Sequence, residues 1–270
     1  MKEFTKLVLA LAYFTLYLVP FRRSQRRVVI YYHGVTETEK KPFERQMRYL
    51  AKAAITIRPS EIKSTKIEDS LIVAVTFDDA FLNLSKNAMP ILKACGIESA
   101  ICVPTAYIGS TPGWDMEEGC KDRGEAIMSV ADLKEVQSSG AELFSHTKTH
   151  PRLTDLDDHS LIDELSQSKS ALEAEFNTPI LAISYPHGAC NNRVLEFAKN
   201  AGYLLGFGIN PDFVEKTTPD LMVGRTLVLP TDGILTFALK IHGAYGILTH
   251  LKQWFGKRSI YPVGASEANS

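Results

Sequence analysis

The chain has 270 residues, 45% hydrophobic and 23% charged, enough for one sizeable core in one large domain or two small ones. Its net charge of −1 excludes a broadly basic surface for nucleic acid. The four cysteines, Cys95, Cys102, Cys120 and Cys190, contain no C-x-x-C pair, which argues against a thiolate zinc site and leaves only Cys120 and Cys190, in loop-like stretches, as a pair for an oxidising compartment.

The charge is uneven along the chain. Residues 1–30 carry a net +5 and the remainder −6. Leu7 to Phe21 is apolar apart from Thr and Tyr and is bounded by Lys6 and Arg22. About 15 residues falls short of the ~20 that a spanning helix needs, and suits a signal-peptide core or a shallow anchor. No small-x-small cleavage site follows. Arg22, Arg23, Arg26 and Arg27 follow instead, and such a cluster tends to stay cytoplasmic. Residues 1–27 are therefore assigned as an anchor-like segment making membrane contact through 7–21, with the side of the membrane open. A first helix packed on the domain body is the alternative.

From residue 28 onward, apolar β-rich runs recur at 28–32, 71–76, 99–103, 142–145, 180–185, 204–209 and 226–229. Helical periodicity lies between several of them. It covers 84–94, stopped by Gly96, then 130–138, closed by Gly140, then 161–176, then 192–201, closed by Gly202. Strands alternating with helices imply parallel β–α units, as a barrel or a doubly wound sheet. In both, functional groups gather at the C-terminal ends of strands.

Polar clusters follow four of those strands. Tyr31-Tyr32-His33-Gly34 closes the first. A lone histidine there is more often structural, but its position makes His33 a candidate general acid. Thr76-Phe77-Asp78-Asp79-Ala80 follows the second. One aspartate would suffice to cap a helix. Two carboxylates at the mouth of a buried strand point to a ligand and a base. His146-Thr147-Lys148-Thr149-His150 follows the fourth strand and places two imidazoles on one side if it makes a helical turn. With the aspartates this becomes a His–His–carboxylate set for zinc, with cobalt or nickel as alternatives. Ser184-Tyr185-Pro186-His187-Gly188 follows the fifth strand as a turn that is either ordinary or aimed at an oxyanion.

Together these clusters resemble the polysaccharide deacetylase family (carbohydrate esterase family 4) over most of 28–245. The TFDDA segment resembles its first motif, implying Asp78 as general base and Asp79 as metal ligand. HTKTH resembles the second, implying ligands His146 and His150. SYPHG resembles the third. YYHGV, SYPHG, Ala201-Gly202-Tyr203 and Gly224-Arg225 are most similar to the poly-N-acetylglucosamine deacetylase branch, which implies His33 as the acid. The family fold is an α/β distorted (β/α)7 barrel, here one catalytic domain over 28–257 after an N-terminal apolar helix, with 258–270 as a tail.

Two departures matter. Ser184 stands where many members have arginine, with Arg225 as substitute, and His187 stands where they have tyrosine. A C-terminal L-x-H motif is matched only superficially, around His242, so His33, His187 and His242 all remain candidates for the acid. His187, Tyr185, Arg225 and Trp114 are the candidate oxyanion or substrate-binding residues; Trp114, beside Gly113 in a loop, either stacks on a sugar ring or anchors that loop. The resemblance implies metal-dependent removal of N-acetyl groups from an N-acetylglucosamine-type glycan. Two alternatives are a deacetylase or deformylase of a membrane-linked sugar intermediate and a catalytically silent carbohydrate-binding protein. Polymer identity and oligomeric state are left open.

Overall fold

The computed structural model describes residues 26–67, 70–116 and 118–246. Residues 1–25 of the proposed N-terminal anchor and the C-terminal tail lie outside the described residues, whereas Arg26 and Arg27, assigned to that anchor, begin the first strand. In chain order the elements are β1 (Arg26–Tyr32), α1 (Lys40–Ala53), β2 (Ile55–Thr56), β3 (Leu71–Phe77), α2 (Leu82–Asn87), α3 (Met89–Cys95) and β4 (Ser99–Val103). Next come α4 (Val130–Ser138), β5 (Glu142–Ser145), α5 (Asp158–Phe176), β6 (Ala182–Ser184), α6 (Asn192–Asn200), β7 (Leu205–Phe207), β8 (Thr226–Leu227) and α7 (Ile234–Ile241).

The strands are all parallel, in the order β7-β6-β5-β4-β3-β1-β8, with β2 beside the start of β3. The chain leading into β8 crosses the gap between the two sheet edges. Val223 bridges Phe207 at the end of β7, and Thr226 pairs with Ile30 of β1. The sheet thus curls towards a distorted barrel of β/α units.

Side-chain alternation along each strand divides the core in two. Val28, Ile30, Tyr32, Val73, Val75, Phe77, Ile101 and Val103 face the helices. Val29, Ile72, Ala74, Ala100, Cys102, Phe144, Ala182 and Phe207 fill the interior. The interior residues are mostly small, as a narrow barrel requires. Fully burying each larger apolar side chain on the outer side contributes about 1.5–3 kcal/mol.

The helices depart from the sequence expectation in ways that have local causes. The stretch 84–94 is two helices, α2 and α3, joined at Ala88. Pro90 lacks the N–H that a continuous helix needs and crowds the carbonyl four residues back. The helix expected from Leu161 begins at Asp158, because the Asp157 side chain caps it by accepting from Ser160 N at 2.7 Å. Helix α1 is absent from the sequence assignment, although Phe43, Met47 and Leu50 recur at helical spacing and are fully buried. Strand β2, with two residues, is too short to show a period. All four cysteines are free, so Cys120 and Cys190 do not pair. Among the described residues, no helix is long and apolar enough to cross a membrane.

Candidate active site

Because β1 and β3 run parallel in register, with Tyr32 opposite Phe77, His33 and the aspartate pair emerge side by side. Asp78 N donates to Tyr32 O at 2.9 Å, extending the ladder one residue beyond the strands. Alternation along β3 then sets the roles. Ile72 and Ala74 point inward, and Asp78 continues their face. It meets Arg225, which is fully buried. Arg225 Nη1 donates to Asp78 Oδ1 at 2.8 Å and Nη2 to Oδ2 at 2.7 Å. The same guanidinium donates to Thr76 Oγ1, Ser184 Oγ and Gly208 O, and lies 4.5 Å from the centre of the Tyr31 ring. Burial alone would raise the Asp78 pKa; the charges and hydrogen bonds of Arg225, with help from His146 and His33, hold it well below the usual carboxylate range.

Asp79 turns the other way, at a positive φ of 70°. Its Oδ1 lies 3.4 Å from His146 Nε2 and 3.3 Å from His150 Nε2. Ligand atoms of these three buried residues all fall within 4.8 Å of one another. Burial opposes ionisation of Asp79 too, but the adjacent His146 and His150, with His33, hold its pKa down. The Asp79 Oδ1 atom is buried and has no hydrogen-bond partner. His146 Nδ1 donates to Ser184 O at 2.8 Å, which leaves its Nε2 lone pair free towards Asp79. A carboxylate oxygen without a partner between two imidazole nitrogens is a donor set that fits a divalent transition metal.

The two histidines do not reach this geometry through a helical turn, as the i, i+4 spacing suggested. Residues 146–150 form an irregular loop in which Thr147 and His150 both have positive φ, 64° and 62°. His146 N still pairs with Val103 O, as the last rung of the β4–β5 ladder. The loop then folds back and brings the two rings to 4.8 Å between centroids.

Comparison with known proteins matches residues 66–206 to the polysaccharide deacetylase family. The chain belongs to that family. The matched stretch of the polysaccharide deacetylase contains Asp78, Asp79, His146 and His150 but neither His33 nor Arg225. The Bacillus subtilis protein YxkH is 26% identical over 212 residues, covering 75% of this chain and 71% of its own length. A Staphylococcus aureus poly-β-1,6-N-acetyl-D-glucosamine N-deacetylase is 26% identical over 166 residues, or 58% of this chain; the match spans about half (54%) of the staphylococcal protein. Among solved structures, Streptococcus pyogenes deacetylase PplD, in complex with acetate, superposes with a TM-score of 0.67 at 22% identity, covering 81% of this chain and 99% of that one. IcaB from Ammonifex degensii gives 0.67 at 21%, covering 82% and 97%. These two share the fold.

The remaining residues singled out in this polysaccharide deacetylase fall into place around that centre. His33 is part-exposed, with Nε2 4.0 Å from Asp79 Oδ2. Its neighbour Gly34 leaves room for Asp122 and Asn83, since a Cβ there would lie 2.5 Å from Asp122 Oδ1 and 2.9 Å from Asn83 Nδ2. His187 is exposed, sits at φ 57°, and its ring lies 4.7 Å from that of His150. Desolvation by its neighbours, then the charges of His150 and Arg152, pull its pKa below the ordinary histidine value, which suits a neutral ring and not a loaded proton donor. Trp114 stacks on His150 with centroids 4.3 Å apart, and its edge meets Tyr107.

Three expectations need correction. Tyr185 is fully buried and donates its hydroxyl to Leu221 O, so its side chain is not a substrate contact. Arg225 is likewise sealed from solvent and acts on Asp78, not on a ligand. His242 caps the far end of α7, where the charge it feels is that of Arg26 at the start of β1. That is the opposite end of the strand from His33, so His242 is removed from the set of candidate acids.

Proposed function

We propose that the chain is a divalent-metal-dependent hydrolase that removes N-acetyl groups from an N-acetylglucosamine-type polysaccharide or oligosaccharide. The unpartnered, buried Asp79 Oδ1 between His146 and His150, one residue from a second buried carboxylate, carries this reading. The names of the staphylococcal relatives support the choice of glycan.

Asp79, His146 and His150 would hold the metal, zinc or else cobalt or nickel. When bound, it supplies Lewis-acid polarisation and a lowered water pKa. Asp78 accepts a proton from the attacking water. Arg225 keeps Asp78 ionised across the neutral range and fixes both its oxygens, each of which retains a further lone pair. The backbone N–H of His187 stabilises the oxyanion that develops on the acetamide carbonyl. His33, the part-exposed imidazole on the other side of Asp79, gives a proton to the departing sugar amine. Acetate and a free amine are the products.

The test is acetate release from N-acetylglucosamine oligomers by the purified protein, with and without chelator. Release that chelator abolishes and added zinc restores is expected. Binding of the oligomers without any metal-dependent release would replace this reading with the silent carbohydrate-binding protein.

A further inference from the structure

We propose that Glu164 is a positioning residue for the metal centre, setting the shape of the loop that carries His150; this rests on the metal reading above. Glu164 lies on the buried side of α5, among Leu161, Leu165, Ser168 and Leu172. A carboxyl group there is costly unless donors surround it. Its Oε2 accepts from Lys148 N and Thr149 N, both at 2.8 Å, and its Oε1 accepts from the Thr149 hydroxyl. All three donors belong to the segment between the two histidines. The loop's carbonyls are held from the opposite side, where Thr105 N donates to Thr147 O and Ala106 N to Lys148 O.

The positive φ of Thr147 and the turn that follows aim two successive N–H groups at one point, a concavity suited to a single anionic oxygen. In this fold the oxygen comes from the chain itself. The consequence falls on His150 more than on His146. The His146 ring is fixed by its own bond to Ser184 O, and its backbone by the β4–β5 ladder. His150 Nδ1 has no hydrogen-bond partner, so no second bond orients its ring. Its direction is set by the Trp114 stack and by its backbone, whose N–H donates to Thr147 Oγ1 inside the loop that Glu164 holds. Groups that orient ligating histidines typically change metal affinity by 10–100-fold when removed.

The experiment measures zinc affinity by competition with a chelating indicator, and the melting temperature of the metal-free protein, for the parent, Glu164→Ala and Glu164→Gln. A role confined to holding up the fold lowers the melting temperature and leaves the zinc affinity of the folded protein unchanged. The positioning role lowers affinity about 10–100-fold in Glu164→Ala. Glu164→Gln, whose amide oxygen still accepts both backbone N–H groups, recovers part of that loss. Cobalt-loaded Glu164→Ala should also show an altered ligand-field spectrum. Parent-like zinc affinity in folded Glu164→Ala overturns the proposal. If that variant does not fold, parent-like affinity in Glu164→Gln together with Thr149→Val overturns it. A parent protein that binds no zinc, cobalt or nickel would instead bring down the metal reading itself.

Discussion

Asp78 accepts from both terminal nitrogens of Arg225, at 2.8 and 2.7 Å, whereas Asp79, the next residue, keeps one buried oxygen without any donor. The two carboxylates share a strand end, a depth of burial and a depressed pKa. They differ in where the compensating charge comes from. For Asp78 the cation is built in, and Thr76, Ser184 and Gly208 complete its surroundings. Beside Asp79, among the described residues, stand the imidazoles of His33, His146 and His150, and the Nε2 atoms of the last two lie 3.4 and 3.3 Å from the same unpartnered oxygen. Buried polar atoms are rarely left unsatisfied in a native fold. The contrast therefore separates a carboxylate whose electrostatics the chain settles alone from one that, on the metal reading proposed above, an ion would complete.

Breaking the open half should have the largest effect. Asp79→Asn or His146→Ala is expected to abolish zinc uptake and bring deacetylation below detection, while the metal-free protein still folds. A variant that loses activity yet binds zinc like the parent would show that these residues are not the ligands. Next in size is the chemistry of the closed half and its neighbour. Asp78→Asn and His33→Ala should each lower turnover by about 10²–10⁴-fold with zinc still bound. Metal content by atomic absorption beside acetate release makes the distinction. An unaffected His33→Ala would move the acid to His187, since His242 lies at the other end of the barrel.

The closed half also makes a stability prediction. Arg225→Met leaves Asp78 buried with no cation, and removing one partner of a buried pair costs about 3–5 kcal/mol. Asp78→Asn combined with Arg225→Met should recover much of that. The pH dependence follows from the sign of the shift. Asp78 has a folded pKa held below its unfolded value of about 4. The pair's contribution is therefore complete above that value and is lost as pH falls through the folded one. Urea melts should show the gap between parent and Arg225→Met wide at pH 7 and narrowing in acid. A gap independent of pH would mean that Arg225 acts by packing against Tyr31 and Phe207, not by charge.

How much of this was legible in the chain divides along the same line. The run 71–76 announces a buried strand, and two carboxylates just past its end announce chemistry, so Asp78 and Asp79 could be read from residue type and place. Alternation even decides that Asp78 points inward. Its partner could be named only through the family resemblance, as the substitute for an arginine at Ser184, because Arg225 lies 147 residues away and meets Asp78 only when the chain entering β8 crosses back over the barrel. The histidine loop was legible in content and not in shape. Positive φ at Thr147 and His150 carries no residue signature, unlike a glycine turn. Glu164 was invisible for a related reason: a lone glutamate in a helix reads as solvent-facing, and only the loop above it shows otherwise.

Trp114 gives the smallest and most discriminating effect. Its ring stacks on His150, at an interplanar angle of 26°, from a loop between β4 and α4. A sugar platform needs a free aromatic face, and a ligand support needs an occupied one. Such stacking contributes about 0.5–1.5 kcal/mol, so Trp114→Ala should weaken zinc binding by about 2–10-fold, with Trp114→Phe closer to the parent. Measured beside zinc affinity, oligosaccharide KM decides between the two uses. If KM rises while zinc affinity holds, the ring serves the glycan, and His150 is oriented by its loop alone. If zinc affinity falls first, the open half depends on borrowed support, from Trp114 at the ring and from the loop at the backbone. The closed half carries its own.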